Sequence, residues 1–400
     1  MAHSVPLRCL GCTKGLMLAL ILILATTTWP VQGENAFEER QTNLCEFIET
    51  LEFNGTKANE TVQWQVDIGP RTPGSEASAL LRANFTTEAE QLGYTVSKSN
   101  HTSHGIEFTN LFARWNSSTD NADQLVLSAH YDSRNIADRD ENESNRSMPV
   151  PGANDAASGA AVLLELARLI PSMNLTYDVV IFWNDAEDQN NNYTEGAKAW
   201  AGNLSAEEQN RTKAFVLLDM VGDADLQLHN VYPGNDTLKE RIVVMAEDLG
   251  MVDGVDDCAG EPGQNIVQYS TTVGVLDDHV HAHELGIPSI DLMDTVYGEP
   301  KFGTFGTYWH TMEDTPDKVS AESLGHVGRL VELGLRTNAF IIEEPSSTVD
   351  DVVEDEKRNQ STSPVVEHQE GSRTLSYISM FALCSVIALL SYFEWTTKRR

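Results

Sequence analysis

Two neighbouring segments decide the fold of this chain: Leu127–Ser133, LSAHYDS, and Pro149–Ile170, PVPGANDAASGAAVLLELARLI. The apolar run Leu125–Ala129 has the continuity of a strand buried on both faces, and it gives way to His130 and Asp132. A polar loop leads to Asn154-Asp155. Small and apolar residues from Ala156 to Ile170 then predict a helix that is apolar nearly all round and therefore buried. A His leaves the end of a buried strand, and an Asp precedes a helix packed nearby. Open α/β sheets hold ligands in the crevice outside the carboxyl ends of their strands. One imidazole and one carboxylate meeting there make half of a zinc site, so the remaining ligands are expected from later strand ends.

The same pattern recurs downstream. Asp178–Trp183 is a continuous apolar strand followed by Asn184-Asp185-Ala186-Glu187-Asp188. Ala214–Leu218 is a strand ending on Asp219, and Ile287–Leu292 is another. Helices are expected at Glu34–Glu52, at Glu76–Gly93 behind a Ser75 cap, at Thr237–Leu249 and at Ser320–Phe340, with a short one around Ala199–Ala201. Tyr94–Ser97 and Ile106–Trp115 read as strands, the second at or near a sheet edge because it mixes in polar residues. Alternating strands and helices predict an α/β body with a mostly parallel sheet covered on both faces.

Composition bounds the rest. The chain has 400 residues and a formal net charge of −33, which argues against nucleic acid or an anionic membrane as a partner. Arg8 and Lys14 precede the apolar run Leu16–Ala25, and small residues around Gly33 predict a secretory signal peptide over residues 1–33. The uncharged segment Leu375–Phe393, followed by Lys398-Arg399-Arg400, predicts a membrane helix over residues 374–394 with a cytoplasmic basic tail at 395–400. Between them lie a folded domain, 34–342, and an acidic stalk, 343–373, whose composition predicts disorder. This layout is that of a single-pass type I membrane protein with its main domain outside the cytosol. The outer domain keeps two cysteines, Cys45 and Cys258, which either pair or remain separate buried thiols. Thirteen Asn-x-Ser/Thr tripeptides, from Asn54 to Asn359, exceed the roughly four expected from composition and predict a glycosylated surface.

The residues that carry chemistry are His130, Asp155, Glu187, Asp188, Asp219 and His310, the last within Tyr308-Trp309-His310-Thr311. Two His and several carboxylates form a hard nitrogen–oxygen donor set suited to zinc. Asp155 can bridge two ions through its two oxygens. Adjacent side chains diverge, so Glu187 and Asp188 cannot easily ligate one ion, and Glu187 stays free to act as a base on metal-activated water.

HYDS, PGANDAASG, FWNDAED, LLDMVG, DDH and YWHT together resemble the zinc-dependent aminopeptidases of the aminopeptidase Y type and their glutaminyl-peptide cyclotransferase relatives; GPRTPGS resembles the entry to that fold. The likeness runs over about Gly69–Lys318. It implies a three-layer α/β/α sandwich around a mixed, mostly parallel sheet of about eight strands. It also implies one zinc on His130, Asp155 and Asp219, and a second on Asp155, Asp188 and His310. Glu187 would be the general base and Asp132 would orient His130, with Asp277, Asp278, His279 and Trp309 lining the substrate site. Peptidases of this type use two ions and attack a peptide carbonyl with water; cyclases use one ion and close an N-terminal Gln on itself. ANDAASG resembles the peptidase branch, while Trp309 and the double Asp before His279 resemble the cyclase branch. Animal cyclases have a His where Asp291 stands. Peptidases usually show Gly-Ser after the acidic pair, where this chain has Gly196-Ala197 behind the Asn-rich insertion Gln189–Thr194. The expected activity is therefore an aminopeptidase acting on peptides, with the cyclase as the alternative and a non-catalytic binding domain as a lesser one. Oligomeric state is not legible.

Overall fold

Among the described residues, ten strands are formed in chain order: β1 (Thr95–Ser103), β2 (Ile106–Trp115), β3 (Gln124–His130), β4 (Asp178–Asn184), β5 (Asp188–Gln189), β6 (Asn192–Tyr193), β7 (Thr212–Asp219), β8 (Leu228–Tyr232), β9 (Val267–Gly274) and β10 (Ser289–Met293). Six of them make the main sheet, in the order β1-β2-β4-β3-β7-β10. β4, β3, β7 and β10 run parallel, while β2 is antiparallel to β4 and β1 antiparallel to β2. This is a computed structural model, and it describes residues 44–342. The expected signal peptide, the acidic stalk and the membrane helix fall outside them. Among the described residues no helix is long and apolar enough to cross a membrane.

The helices are α1 (Leu44–Ile48), α2 (Gly55–Asp67), α3 (Glu76–Gln91), α4 (Ala157–Leu169), α5 (Glu195–Asn203), α6 (Ala206–Arg211), α7 (Asp236–Asp248), α8 (His279–Glu284) and α9 (Ala321–Arg336). Side-chain alternation along the central strands sorts them into two layers. Leu125, Leu127 and Ala129 of β3 share a cluster with residues of α2, α3, α4 and α9. Val126, with Phe182 and Phe215 from its neighbours, packs on Ala197 and Trp200 of α5 and Ala282 of α8. Both faces of β3 are thus covered, which is why all seven of its residues are buried. Each Leu or Val so buried contributes about 1.5–3 kcal/mol over an exposed one. Local signals set the helix starts: Ser75 Oγ accepts from Ser78 N (3.0 Å), and Asn235 Oδ1 accepts from Leu238 N (3.0 Å).

α4 lies directly on the sheet at Gly159, where a Cβ would come within 2.2 Å of Leu218 O on β7. Only glycine permits that approach, and it brings the start of α4 to the carboxyl ends of β3 and β7. From β3 the chain passes to β4 on one side, and from β7 to β10 on the other, so β3 and β7 flank a topological switch point.

The sheet differs from the expected eight strands. β8 and β9 pair parallel as a separate ribbon, touching β10 through an isolated bridge, Leu228↔Asp294, just beyond its last residue. β10 ends before β8 can extend the ladder. Cys45 and Cys258 form a disulfide, joining α1 to the loop after α7 across 213 residues of sequence.

Candidate metal centre

His130 is the last residue of β3 and Asp219 the last of β7. Across the switch point their side chains meet, with His130 Nε2 3.2 Å from Asp219 Oδ1 and 3.2 Å from Asp155 Oδ1. Asp155 arrives on the turn that opens α4. Its other oxygen, Oδ2, lies 3.6 Å from His310 Nε2, and that nitrogen lies 3.0 Å from Asp188 Oδ2. Two buried trios result, His130–Asp155–Asp219 and Asp155–Asp188–His310, each with donor atoms within 4.8 Å of one another. Asp155 belongs to both and turns one oxygen to each.

Supporting groups fix these side chains. Asp132 Oδ1 stands 3.4 Å from His130 Nδ1 and accepts from Glu187 N (3.1 Å), while its Oδ2 accepts from Asp188 N (3.2 Å) and Gln189 Nε2 (2.8 Å). One carboxylate therefore orients the imidazole and anchors the backbone of the acidic pair. Asp314 holds the Asp155 turn, accepting from Asn154 N at 2.7 Å and Asp155 N at 3.3 Å, and is itself bound by Tyr297 Oη at 2.8 Å. Beneath the turn, the buried Arg71 donates to Pro151 O (2.6 Å) and Gly152 O (2.5 Å). Gly152 has φ +71°, and a Cβ there would meet Arg71 Nη2 at 2.7 Å, so glycine is required twice over. Arg134 donates to Asp188 Oδ1 and to Asp138 Oδ1, and Asp138 Oδ1 in turn lies 3.6 Å from His310 Nδ1.

Glu187 is buried beside this cluster. Desolvation pushes its carboxyl well above the usual range, helped by the negative charges of Asp188, Asp277 and Asp278 and opposed by His130. Asp278 is likewise pushed up to about 7, mainly by burial, and its Oδ2 accepts from Asn184 Nδ2. Asp277 is raised by burial and by Asp291. Despite burial, His310 and Arg134 hold Asp188 below the ordinary carboxylate range. His130 is raised, against its own burial, by Asp132, Asp155 and Asp219. His279 Nε2 donates to Pro233 O at 3.0 Å, and its Nδ1 lies 3.6 Å from Asp291 Oδ2. Trp309 stacks on the His310 ring at 3.5 Å between centroids and meets Phe305 edge-on.

The donor set fits zinc. It holds only imidazole and carboxylate, and Asp188 Oδ2, one of its donor atoms, is buried without a hydrogen-bond partner. Such an orphan is costly unless a cation answers it.

The description of peptidase family M28 matches residues 110–333. The chain belongs to that family. All the members of both trios and the acidic pair lie inside the matched segment. Among its M28 relatives, aminopeptidase YwaD of Bacillus subtilis (strain 168) is 27% identical over 52% of this chain and 40% of its own length. The chain thus spans less than half of that relative. Two solved structures are similar over nearly their whole length. A Zn-dependent exopeptidase from Parabacteroides distasonis ATCC 8503 matches with TM-score 0.61 and 27% identity, over 72% of this chain and 99% of that one. A glutaminyl cyclase from Tannerella forsythia matches with TM-score 0.61 and 25% identity, over 74% of this chain and 100% of that one. The mixed six-stranded α/β fold is that of these M28 neighbours.

Sequence reading brings the five ligand candidates, Glu187 and Asp132 to one place, and the structure puts them there. It misses Arg71, Arg134, Asp138 and Asp314. Arg134 follows HYDS directly, and Asp314 follows His310 by one helical turn's spacing. Neither ends an apolar strand, so the signal used for the other acids is absent.

Proposed function

We propose that this chain is a zinc-dependent aminopeptidase that removes N-terminal residues from peptides outside the cytosol. The observation that carries the reading is Asp155, with one oxygen toward His130 and the other toward His310. That geometry supports two adjacent metal positions. When bound there, zinc polarises a carbonyl and lowers the pKa of water toward neutrality. His130, Asp155 and Asp219 would hold one ion and Asp155, Asp188 and His310 the other. Glu187, raised by its surroundings, takes a proton from the attacking water and returns it to the leaving amine. Asp132 keeps His130 and the Glu187 backbone in register. The buried carboxylates around the site favour a cationic α-amine, which supports an amino- over a carboxypeptidase.

The glutaminyl-cyclase reading is second. Trp309 against His310 and the cyclases among the structural neighbours favour it. One experiment separates them: zinc-loaded protein is given a peptide beginning with Leu and one beginning with Gln, with a chelator control. Loss of the terminal Leu by mass supports the peptidase. Loss of one ammonia from an otherwise intact Gln peptide would replace it with the cyclase. If neither peptide changes while zinc is bound, a binding role is left.

The location outside the cytosol is supported by the disulfide, which belongs in an oxidising compartment, and by twelve acceptor asparagines among the described residues, none of them buried. Asn54, Asn142 and Asn235 cap helices through Oδ1, which leaves Nδ2 free for a glycan. Tethering by Leu375–Phe393 is tested by a chain ending at Ile342: release from membranes is expected, and continued attachment would place the anchor elsewhere.

A further inference from the structure

Arg134 is 2% exposed and uses its guanidinium in three directions. Nη1 donates to Asp188 Oδ1, Nε donates to Asp138 Oδ1 at 2.7 Å, and Nη2 donates to Asn190 O at 3.0 Å on the β5–β6 hairpin. The guanidinium carbon also lies 5.7 Å from the centroid of the Tyr193 ring on the same hairpin. Asp188 is therefore left with one oxygen, Oδ2, to offer an ion. Around the other trio the balance differs. The ion pairs of Asp155 and Asp219 are with histidines; each trio's His is backed by a further carboxylate, Asp132 behind His130 and Asp138 behind His310, but Asp138 is itself paired with Arg134. Both trios have a His, a carboxylate of their own and half of Asp155. Only one has a fixed guanidinium bound to its own carboxylate.

We propose that Arg134 makes the two metal positions unequal: the His130–Asp155–Asp219 position fills first, and the Asp155–Asp188–His310 position stays weak and exchangeable. Two causes act together. A permanent positive charge beside the second position repels a dication at short range in a buried setting. The same fork occupies the oxygen that would allow Asp188 to bind through both atoms. When zinc is scarce the protein is then a one-ion species, and the ion it lacks is the one nearest the Asn-rich rim. The inference rests on the two-position reading of the proposed function, but it is read from metal binding. A failure to cleave the Leu peptide would leave it standing, and its own failure would leave the peptide assay intact.

The test uses the full-length chain stripped of metal and titrated with zinc against a chromophoric chelator, with cobalt(II) absorption as the spectroscopic signature of each position. The wild-type chain is expected to bind in two steps at least tenfold apart. His310→Ala should keep the tight step and His130→Ala the weak one. Arg134→Gln removes the charge and the fork, and the second step should tighten at least tenfold with the first unchanged. Arg134→Lys keeps the charge and should keep the second step weak. Equal affinities in His310→Ala and His130→Ala would overturn the proposal, as would a second step that is unchanged or weaker in Arg134→Gln. Circular dichroism checks that the variants fold. Should Arg134→Gln fail that check, the two histidine variants, which retain Arg134, still decide whether the positions are unequal.

Discussion

Glu187 and Asp294 show how burial can be put to opposite uses. Burial, helped by the carboxylates around it, keeps the affinity of Glu187 for a proton high. Glu187→Gln keeps the shape and removes the base. Turnover is expected to fall by about 10²–10⁴, the usual worth of general acid–base help, with zinc stoichiometry unchanged by metal analysis. Near-normal rates would remove Glu187 from that role. Asp294 lies apart from the trios, accepting from Val296 N at 2.7 Å and Gln227 N at 3.0 Å, yet burial outweighs these donors and pushes it up to about 8. In the unfolded chain the same carboxyl releases its proton near pH 4. Between those values the folded state binds more protons than the unfolded one, so this group's contribution to stability declines as pH rises from about 4 to about 8 and levels off above. Melting curves from pH 5 to 8 should show a shallower decline in Asp294→Asn than in the wild type. Parallel curves would mean that Asp294 does not titrate there.

Among the elements, α4 is the one on which the site depends most. Gly159 lets it rest on Leu218, the residue before Asp219, and α4 carries Asp155 at its start. Gly159→Ala should lift the helix from β7. Overpacking of this kind costs about 1–3 kcal/mol, and because both carboxylates ride on the contact, zinc affinity should fall with the melting temperature. A destabilised variant with unchanged zinc affinity would show that the ligands are held independently of that contact. α4 and the central strands were legible from sequence because both faces are covered, so the apolar run is continuous. α2 was not: its buried residues are Ala58, Val62 and Gln65, too thin a stripe within GTKANETVQWQVD to show a period. β9, buried at one residue in eight, likewise lacks a continuous run. Four of the ligand candidates could be found because each follows or precedes a recognisable apolar element, whereas His310 lies in a polar loop and was picked out by the likeness of YWHT. Arg134 and Asp138 lie in a polar loop, where nothing in the sequence distinguishes a residue that reaches a buried carboxylate from one that meets solvent.

At the scale of the whole molecule, the Cys45–Cys258 bond ties the first described helix to a loop on the far side of the chain's sequence. Closing so long a loop restricts the unfolded chain, and removing such bonds typically costs 2–5 kcal/mol. A double Cys45→Ser, Cys258→Ser variant should melt well below the oxidised protein and match it when that protein is reduced. An unchanged melting temperature would mean that the bond adds nothing to the fold. The sequence left this pairing open because proximity across 213 residues has no local signature. The β5–β6 hairpin brings a different consequence. It begins at Asp188 and is fastened at Asn190 and Tyr193 to Arg134. This Asn-rich hairpin is thus spliced onto Asp188, a metal ligand in the proposed reading. Redesign of substrate preference by exchanging this hairpin would retune metallation in the same stroke, and a lineage that drifts in one of these traits is bound to drift in the other.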